Sequence, residues 1–415
     1  MTMRSVGIAA TAAVVLGAAH TAAAATHCVR PGGGAGCTST ITAAVGNAAP
    51  GDTILVSRGT YAEDVLVTKP LFIIGEDRDR TIVDATGLAN GFDVDGFDNP
   101  GLSRVAISGF TIEHAQTEGI LVSNASDVRL SDNILFDNDE ALGSQGCTVF
   151  VPPDNAAGEG LDCGEAIHLT GVDHSIVADN IVRRNSGGIL ISDDSGPTYE
   201  NLITGNTVAD NPFDCGITLA SHNPAAPNGV FHNTVEANTV SGNGLKGEGA
   251  GVGLFTPAPG TATYGNVVVA NRLVNNRLPG VAMHSHAPNQ NLNDNQIVGN
   301  YIAGNGADTA DAETPGRTGI NVFGVTPITG TTIEGNTIEH EDVAISVKTS
   351  STVDAHFNNL DNHAVGVANL NGGTVDATEN WWGCPRGPKA GGCSTVSGAN
   401  VIVYPWLAHP APKSW

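Results

Sequence analysis

The sequence predicts an all-β fold, a parallel β-helix solenoid of about ten or more coils with capped ends. Three observations predict it. A small–aliphatic–x–aliphatic signature recurs, as in Gly119-Ile120-Leu121-Val122, Gly188-Ile189-Leu190-Ile191 and Gly319-Ile320-Asn321-Val322. An Asn–x–aliphatic signature, at Asn133, Asn180, Asn206, Asn238, Asn271, Asn300 and Asn336, alternates with it in strict order. Glycine is abundant, 53 of 415 residues, while charged residues make up only 14%. Repeats spaced by roughly 20–36 residues mean a solenoid, a propeller or an array. The absence of long 3.6-period stretches excludes helical solenoids. The shortest repeats cannot hold the roughly four strands of a propeller blade. Two or three short strands per coil fit.

The chain begins with an address. Residues 1–25 read as a secretory signal, with Arg4, the apolar run Val6–Ala19 and an Ala-x-Ala cleavage site near Ala23–Ala25. The exported domain is then 26–415. No later apolar run approaches the roughly 20 residues of a membrane span. Residues 26–90 form the N-terminal cap and first coils, 91–370 the repeat core and 371–415 the C-terminal cap.

Ten copies of the first signature, from Gly91-Phe92-Asp93-Val94 to Ala364-Val365-Gly366-Val367, supply the inner strands. Coils stack at about 4.8 Å, and the two aliphatics of each copy point inward. The recurrent Asn tolerates the left-handed conformation of a sharp turn, and stacked amides can bond along the axis. The last copy of that signature is degenerate, near Asn359. Seven cysteines suit an oxidising compartment. Sequence proximity suggests Cys28–Cys37, Cys147–Cys163 and Cys384–Cys393, leaving Cys215 over.

Several segments carry a family resemblance. Gly51-Asp52-Thr53-Ile54-Leu55-Val56 with Gly59-Thr60-Tyr61 looks like a first coil, and Lys69-Pro70-Leu71-Phe72-Ile73-Ile74-Gly75 like a second strand group. Asn380-Trp381-Trp382-Gly383 and Tyr404-Pro405-Trp406-Leu407 look like a closing segment. The pattern resembles the right-handed parallel β-helix superfamily, which includes pectin lyase-like and copper-maturation-type repeat proteins. The resemblance implies a single-stranded right-handed helix. In the pectinase branch the outer face of the repeated strand forms the substrate cleft, and the resemblance implies the same here. Trp381, Trp382 and Trp406 are expected to cover the last coil rather than stack on sugar.

Alternate strand residues face outward, and polar groups gather on part of that expected open face. Glu165 and His168 lie on one coil, Asp193 and Asp194 follow the next, His222 follows a third, and His284 and His286 come after the Phe255 coil. The loops 143–162, 223–232, 242–251 and 305–318 could wall a groove there. The catalytic candidates are Asp193, Asp194, His222, His284, His168 and Glu165. Phe255, His286, Asn321 and Lys246 are candidates for holding substrate. In a glycoside hydrolase one carboxyl protonates the leaving oxygen and another activates water. A lyase needs a base and a means to neutralise developing charge. Asp193-Asp194 resembles the adjacent Asp pair of polygalacturonase-like β-helices. The competing readings are a turn-forming Asx pair and ordinary surface histidines. His284-Ser285-His286 could also ligate a metal. Asp93, Asp95 and Asp98, with Asn99, offer hard oxygen ligands for Ca²⁺, the cofactor candidate, against a reading as solvated turn carboxylates.

Lys plus Arg number 18 and Asp plus Glu 42, a net charge of -24. Such a chain is no general nucleic-acid binder, which needs a basic face. An anionic glycan would need a bridging cation or a local basic spot. The leading reading is a secreted polysaccharide lyase or glycoside hydrolase whose partner is an extracellular polysaccharide or oligosaccharide. The alternatives are a noncatalytic extracellular carbohydrate-binding or surface β-helix and a metal-handling accessory protein. Only three methionines disfavour thioether copper ligation in the last.

Overall fold

Each inner strand pairs in parallel with the equivalent strand of the next coil. Ile120 sits beside Ile167, Ile167 beside Ile189, and Ile189 beside Ile217. Val252, Val281, Ile320 and Ile345 continue the column. All of these side chains are buried, as are Val122, Leu169, Ile191, Leu219, Leu254, Met283, Val322 and Val347 in the parallel column. Burying a Val, Leu or Ile stabilises by about 1.5–3 kcal/mol, so the two columns are a large part of the driving force.

The computed structural model describes residues 24–138, 165–224, 228–361, 364–388 and 391–412. The strands form three long parallel sheets of 14, 12 and 11 strands, with a small fourth sheet of three. A coil visits them in turn. One runs through Phe92–Asp95, Ala106–Ser108 and Thr111–Glu113, the next through Ile120–Ser123, Arg129–Ser131 and Ile134–Phe136. The 12-stranded sheet contains all ten signature copies. It also contains Val65–Val67 and Thr395–Gly398, which the signature does not reveal.

The small residue opening each copy has a steric cause. A Cβ on Gly188 would lie 1.9 Å from the Gly216 carbonyl oxygen, and one on Gly216 would lie 2.1 Å from Val240 Cγ1. The next coil's carbonyl or a core valine fills the space, so only Gly or, in three copies, Ala opens the strand.

The Asn signature builds ladders. Asn133 Nδ2 donates to Asn180 Oδ1 at 3.1 Å, and Asn180 to Asn206, Asn206 to Asn238 and Asn238 to Asn271 at 3.0 Å each. The series runs on through Asn300, Asn336, Asn358 and Asn380. Asn358, rather than Asn359, is therefore the penultimate member. A second ladder joins Asn138, Asn185, Asn211, Asn243, Asn276 and Asn305 and ends on Glu341. A third joins Asn201, Asn233, Asn266 and Asn295. Just before the third, Tyr199, Phe231 and Tyr264 stack with centroids 5.0 and 5.3 Å apart.

The ends differ from the middle. A seven-residue helix, Ile41–Asn47, buries Ile41, Ala44 and Val45. The Glu63 carboxylate accepts from the Ile41 and Thr42 amides at its N-terminus, both at 2.8 Å. The hydrophobic periodicity does not foresee so short a helix. Cys28–Cys37 and Cys384–Cys393 are disulfides, with Cα atoms 4.7 and 5.4 Å apart. Cys147 and Cys163 lie outside the described residues, as does most of the expected signal. Cys215 is buried, and the Ala250 amide donates to its sulfur. Trp382 is fully buried in the core, with Trp406 packed against it. No helix among the described residues is long and apolar enough to cross a membrane.

Candidate functional site on the outer face of the 12-stranded sheet

The outer columns alternate as the pleat requires, but they are not an open face. Leu190 and Ala282 are fully buried, and His284, Asn321 and Ser346 nearly so. The expectation of an exposed strand face is corrected here, because loops lie over it. The 242–251 loop hydrogen-bonds to Pro212 and Phe213. Cys215, Ala250 and Ala282 form a small apolar cluster beneath it, with Phe255 and Leu278 packed on. The 305–318 loop lies against His284.

The N-terminal part of this face is acidic. Asp93 is pushed up to about 7 by burial and by the carboxylates of Asp95, Asp64, Glu118 and Asp98. Asp95 accepts from the Asp98 amide and from Asn99 Nδ2, so it ties the turn together.

Next along the axis comes a hydrogen-bonded group centred on Asp194. His168 projects from the Glu165–Thr170 strand. Its Nε2 lies 2.8 Å from Ser192 Oγ and 3.7 Å from Asp194 Oδ2, and its Nδ1 lies 3.4 Å from Glu118 Oε1. Ser192 Oγ donates to Asp194 Oδ2 at 2.6 Å. His222 Nδ1 lies 3.1 Å from Asp194 Oδ1. Burial alone would push the Asp194 carboxyl up. The charges and hydrogen bonds of His222 and His168, with the Ser192 hydroxyl, outweigh it and hold Asp194 well below the usual range.

Asp193 does something else. It is fully buried and accepts from Ser221 Oγ at 2.8 Å, the His222 amide at 2.7 Å and the Asn223 amide at 3.0 Å. Burial pushes its carboxyl up against those bonds. The adjacent pair is therefore divided: Asp193 anchors the segment that carries His222, and Asp194 meets the imidazoles. Glu165 is buried on the same face, where it and Asp214 flank Gly187.

His284 belongs to a second group. Its register partner is Phe255, which pairs with Ala220, which pairs with Ser192. Three strand spacings separate His284 from Ser192, roughly 14 Å. The structure therefore does not join His284 to Asp194, nor to His222, whose coil lies two spacings away. Its partners are Asn321, Asp308 and Asp311, with His286 beside it. Phe255 and Phe323 flank its ring edge-on at 5.2 and 6.0 Å. Lys246 is exposed in the 242–251 loop.

Glu118, Asp308 and Asp311 escape the sequence reading. Glu118 has a signal in retrospect: Glu118-Gly119-Ile120 and Glu165-Ala166-Ile167 are equivalent triplets in register. Asp308 and Asp311 lie in a loop, where no periodicity marks them.

A family model described as the right handed beta helix region matches residues 88–255. The chain is a right-handed parallel β-helix. Solved β-helices share its shape at low identity. DFA-IIIase from Arthrobacter chlorophenolicus A6, without its lid, aligns with a TM-score of 0.52 and 15% identity, over 88% of this chain and 89% of that one. The alginate lyase AlyF-OU02, solved with G6, gives 0.53 and 13%, over 88% and 84%. The Dettilon tailspike protein gp208 gives 0.52 and 12% over 88% of this β-helix, which spans 63% of the tailspike chain. No curated protein sequence matches. These likenesses establish the fold.

Proposed function

We propose that this β-helix is a secreted carbohydrate-active enzyme, a glycoside hydrolase or polysaccharide lyase working at the Asp194 group. The observation that carries the reading is the Asp194 carboxylate shared among Ser192, His222 and His168. A carboxylate held ionised beside an imidazole fixes the orientation of that ring, the arrangement used for general acid–base transfer. Asp194 and His222 keep 12% and 18% of their side-chain surface exposed, so the pair reaches solvent on a largely covered face. The solved neighbours named for DFA-III and alginate chemistry support a saccharide substrate, and the net charge of -24 favours a neutral one or one bridged by a cation. Calcium at Asp93, Asp95 and Asp98 remains a proposal of the same kind.

The test is a panel of neutral and uronate glycans, read by reducing-sugar release and by absorbance of unsaturated products. Asp194→Asn should lower the rate at least 10²-fold with the fold retained. No product on any glycan, or full activity in Asp194→Asn, would overturn the reading. The noncatalytic alternative gains support from one observation, the separation of His284 from the Asp194 group: three strand spacings from Ser192, roughly 14 Å, and two from the coil that carries His222, roughly 10 Å. It predicts saturable glycan binding without turnover.

A further inference from the structure

The second group has a geometry that the glycan reading does not use. Asp308 organises the 305–318 loop: its Oδ1 accepts from the Asp311 and Ala312 amides at 3.0 and 3.2 Å, and its own amide donates to Thr314 Oγ1 at 2.8 Å. That places Asp311 Oδ2 3.2 Å from His284 Nδ1 and 3.2 Å from His286 Nε2. The three ligand atoms all lie within 4.8 Å of one another.

The other side of the His284 ring decides which nitrogen carries hydrogen. Its Nε2 lies 2.8 Å from Asn321 Oδ1 and 3.4 Å from Asp308 Oδ2. In the tautomer that bonds to these two acceptors, Nε2 carries the hydrogen. In the neutral ring Nδ1 then presents a lone pair to a carboxylate oxygen 3.2 Å away. Two acceptors at that distance repel unless a cation lies between them. A second proton on His284 would serve, and so would a metal ion.

We infer that His284 Nδ1, His286 Nε2 and Asp311 Oδ2 form a binding site for a borderline divalent transition-metal ion of the zinc type. Two nitrogens and one carboxylate oxygen suit such an ion. Tetrahedral bonds of about 2.0–2.1 Å separate ligand atoms by roughly 3.3 Å, close to both observed separations. An imidazole ligand whose other nitrogen donates to a carbonyl or carboxylate is the usual outer arrangement of metal sites. The Asn321 carboxamide oxygen supplies it, with the Asp308 carboxylate 3.4 Å away. Asp308 Oδ2 makes no hydrogen bond among the described residues and is buried, so its charge faces the ring. Phe255 and Phe323 give the imidazoles an apolar surround. Asp311 is 42% exposed, which gives the ion a path from solvent and leaves a fourth position for water or a ligand oxygen. The ion would fasten the 305–318 loop to the sheet. Two other groups, Asp84, Glu113 and His114, and Asp354, His356 and Asp376, hold one imidazole each.

The full chain, stripped with a chelator, is titrated with Zn²⁺ by calorimetry. Bound zinc per chain is then counted by elemental analysis after dialysis. One ion per chain with micromolar or tighter affinity is expected. His286→Ala and Asp311→Ala should each weaken it at least tenfold, and zinc should raise the melting temperature of the wild type but not of Asp311→Ala. His114→Ala and His356→Ala should bind as the wild type does. His286→Asn and Asp311→Asn repeat the measurement if circular dichroism shows either alanine variant misfolded. Absence of stoichiometric zinc would overturn the site. So would binding that survives in all four ligand variants, or binding lost in His114→Ala or His356→Ala. An imidazole ¹⁵N spectrum showing His284 doubly protonated and unmoved by zinc would assign the gap to a proton instead.

Discussion

The Asn corner and the outer face of the 12-stranded sheet run side by side along the same coils and obey opposite rules. At the corner one residue type repeats, and each amide finds the same partners one coil away. Asn238 donates to Ile203 O and Asn271 Oδ1, and its own Oδ1 accepts from both nitrogens of Asn206. On the outer face successive register partners are Asp95, Ser123, Thr170, Ser192, Ala220, Phe255, His284 and Phe323. Apart from the hydroxyls of Ser123, Thr170 and Ser192, adjacent coils present different groups there. A repeated column is stabilising because each rung copies its neighbour. A column that breaks the repeat forgoes that copying, and its residues answer to another requirement.

Substitution should separate the two regions. The largest loss of stability is expected at the corner. Asn238→Ala removes a buried amide and leaves the Asn206 backbone N–H and Nδ2 without the oxygen they share, a cost of about 3–5 kcal/mol. Chemical denaturation measures it, and a cost below 1 kcal/mol would undo the contrast. Asp194→Asn on the outer face should reverse the balance, with at least 10² lost in glycan turnover and a smaller change in denaturation midpoint. A midpoint shift as large as that of Asn238→Ala would make Asp194 another structural member.

A third substitution probes where the repeat ends. Glu341 receives the last amide of the second ladder, and burial pushes its carboxyl up to about 7 against the hydrogen bonds from Asn305. A carboxyl raised in the folded state contributes stability that is complete below about pH 4.5 and is lost as pH rises through about 7. Glu341→Gln continues the ladder with a neutral amide. It should stabilise the protein by on the order of 2–3 kcal/mol at pH 8 and flatten stability between pH 5 and 8, as read from denaturation at several pH values. The smallest effect is expected for Phe231→Leu. It breaks the Tyr199–Phe231–Tyr264 stack on a half-buried surface and should cost about 1 kcal/mol.

The same contrast explains what the sequence discloses. Repetition made the coil visible: Gly188-Ile189-Leu190-Ile191 and Asn180 are recognisable because neighbouring coils must copy them to pair. Val65–Val67 and Thr395–Gly398 escaped because the terminal coils lack the opening small residue. The candidate site was legible only where it rides on a strand. His168 and His284 could be placed by register, whereas Asp308 and Asp311 come from a loop whose path no period encodes. The burial of the outer face escaped too, since alternation tells which way a side chain points but not what lies over it. The split of Asp193 from Asp194 depended on the chain turning inward after Ser192, which a two-residue motif does not convey.

The ladders also give the rod a direction. Every amide-to-amide bond runs from a nitrogen on one coil to an oxygen on the following coil, so the carboxamide dipoles point the same way and reinforce one another. An α-helix gathers the same kind of polarity from its backbone and attracts carboxylates to its N–H end. Here the polarity is assembled from side chains in a protein whose described residues hold a single seven-residue helix, and the carboxyl the second ladder meets at its N–H end is Glu341.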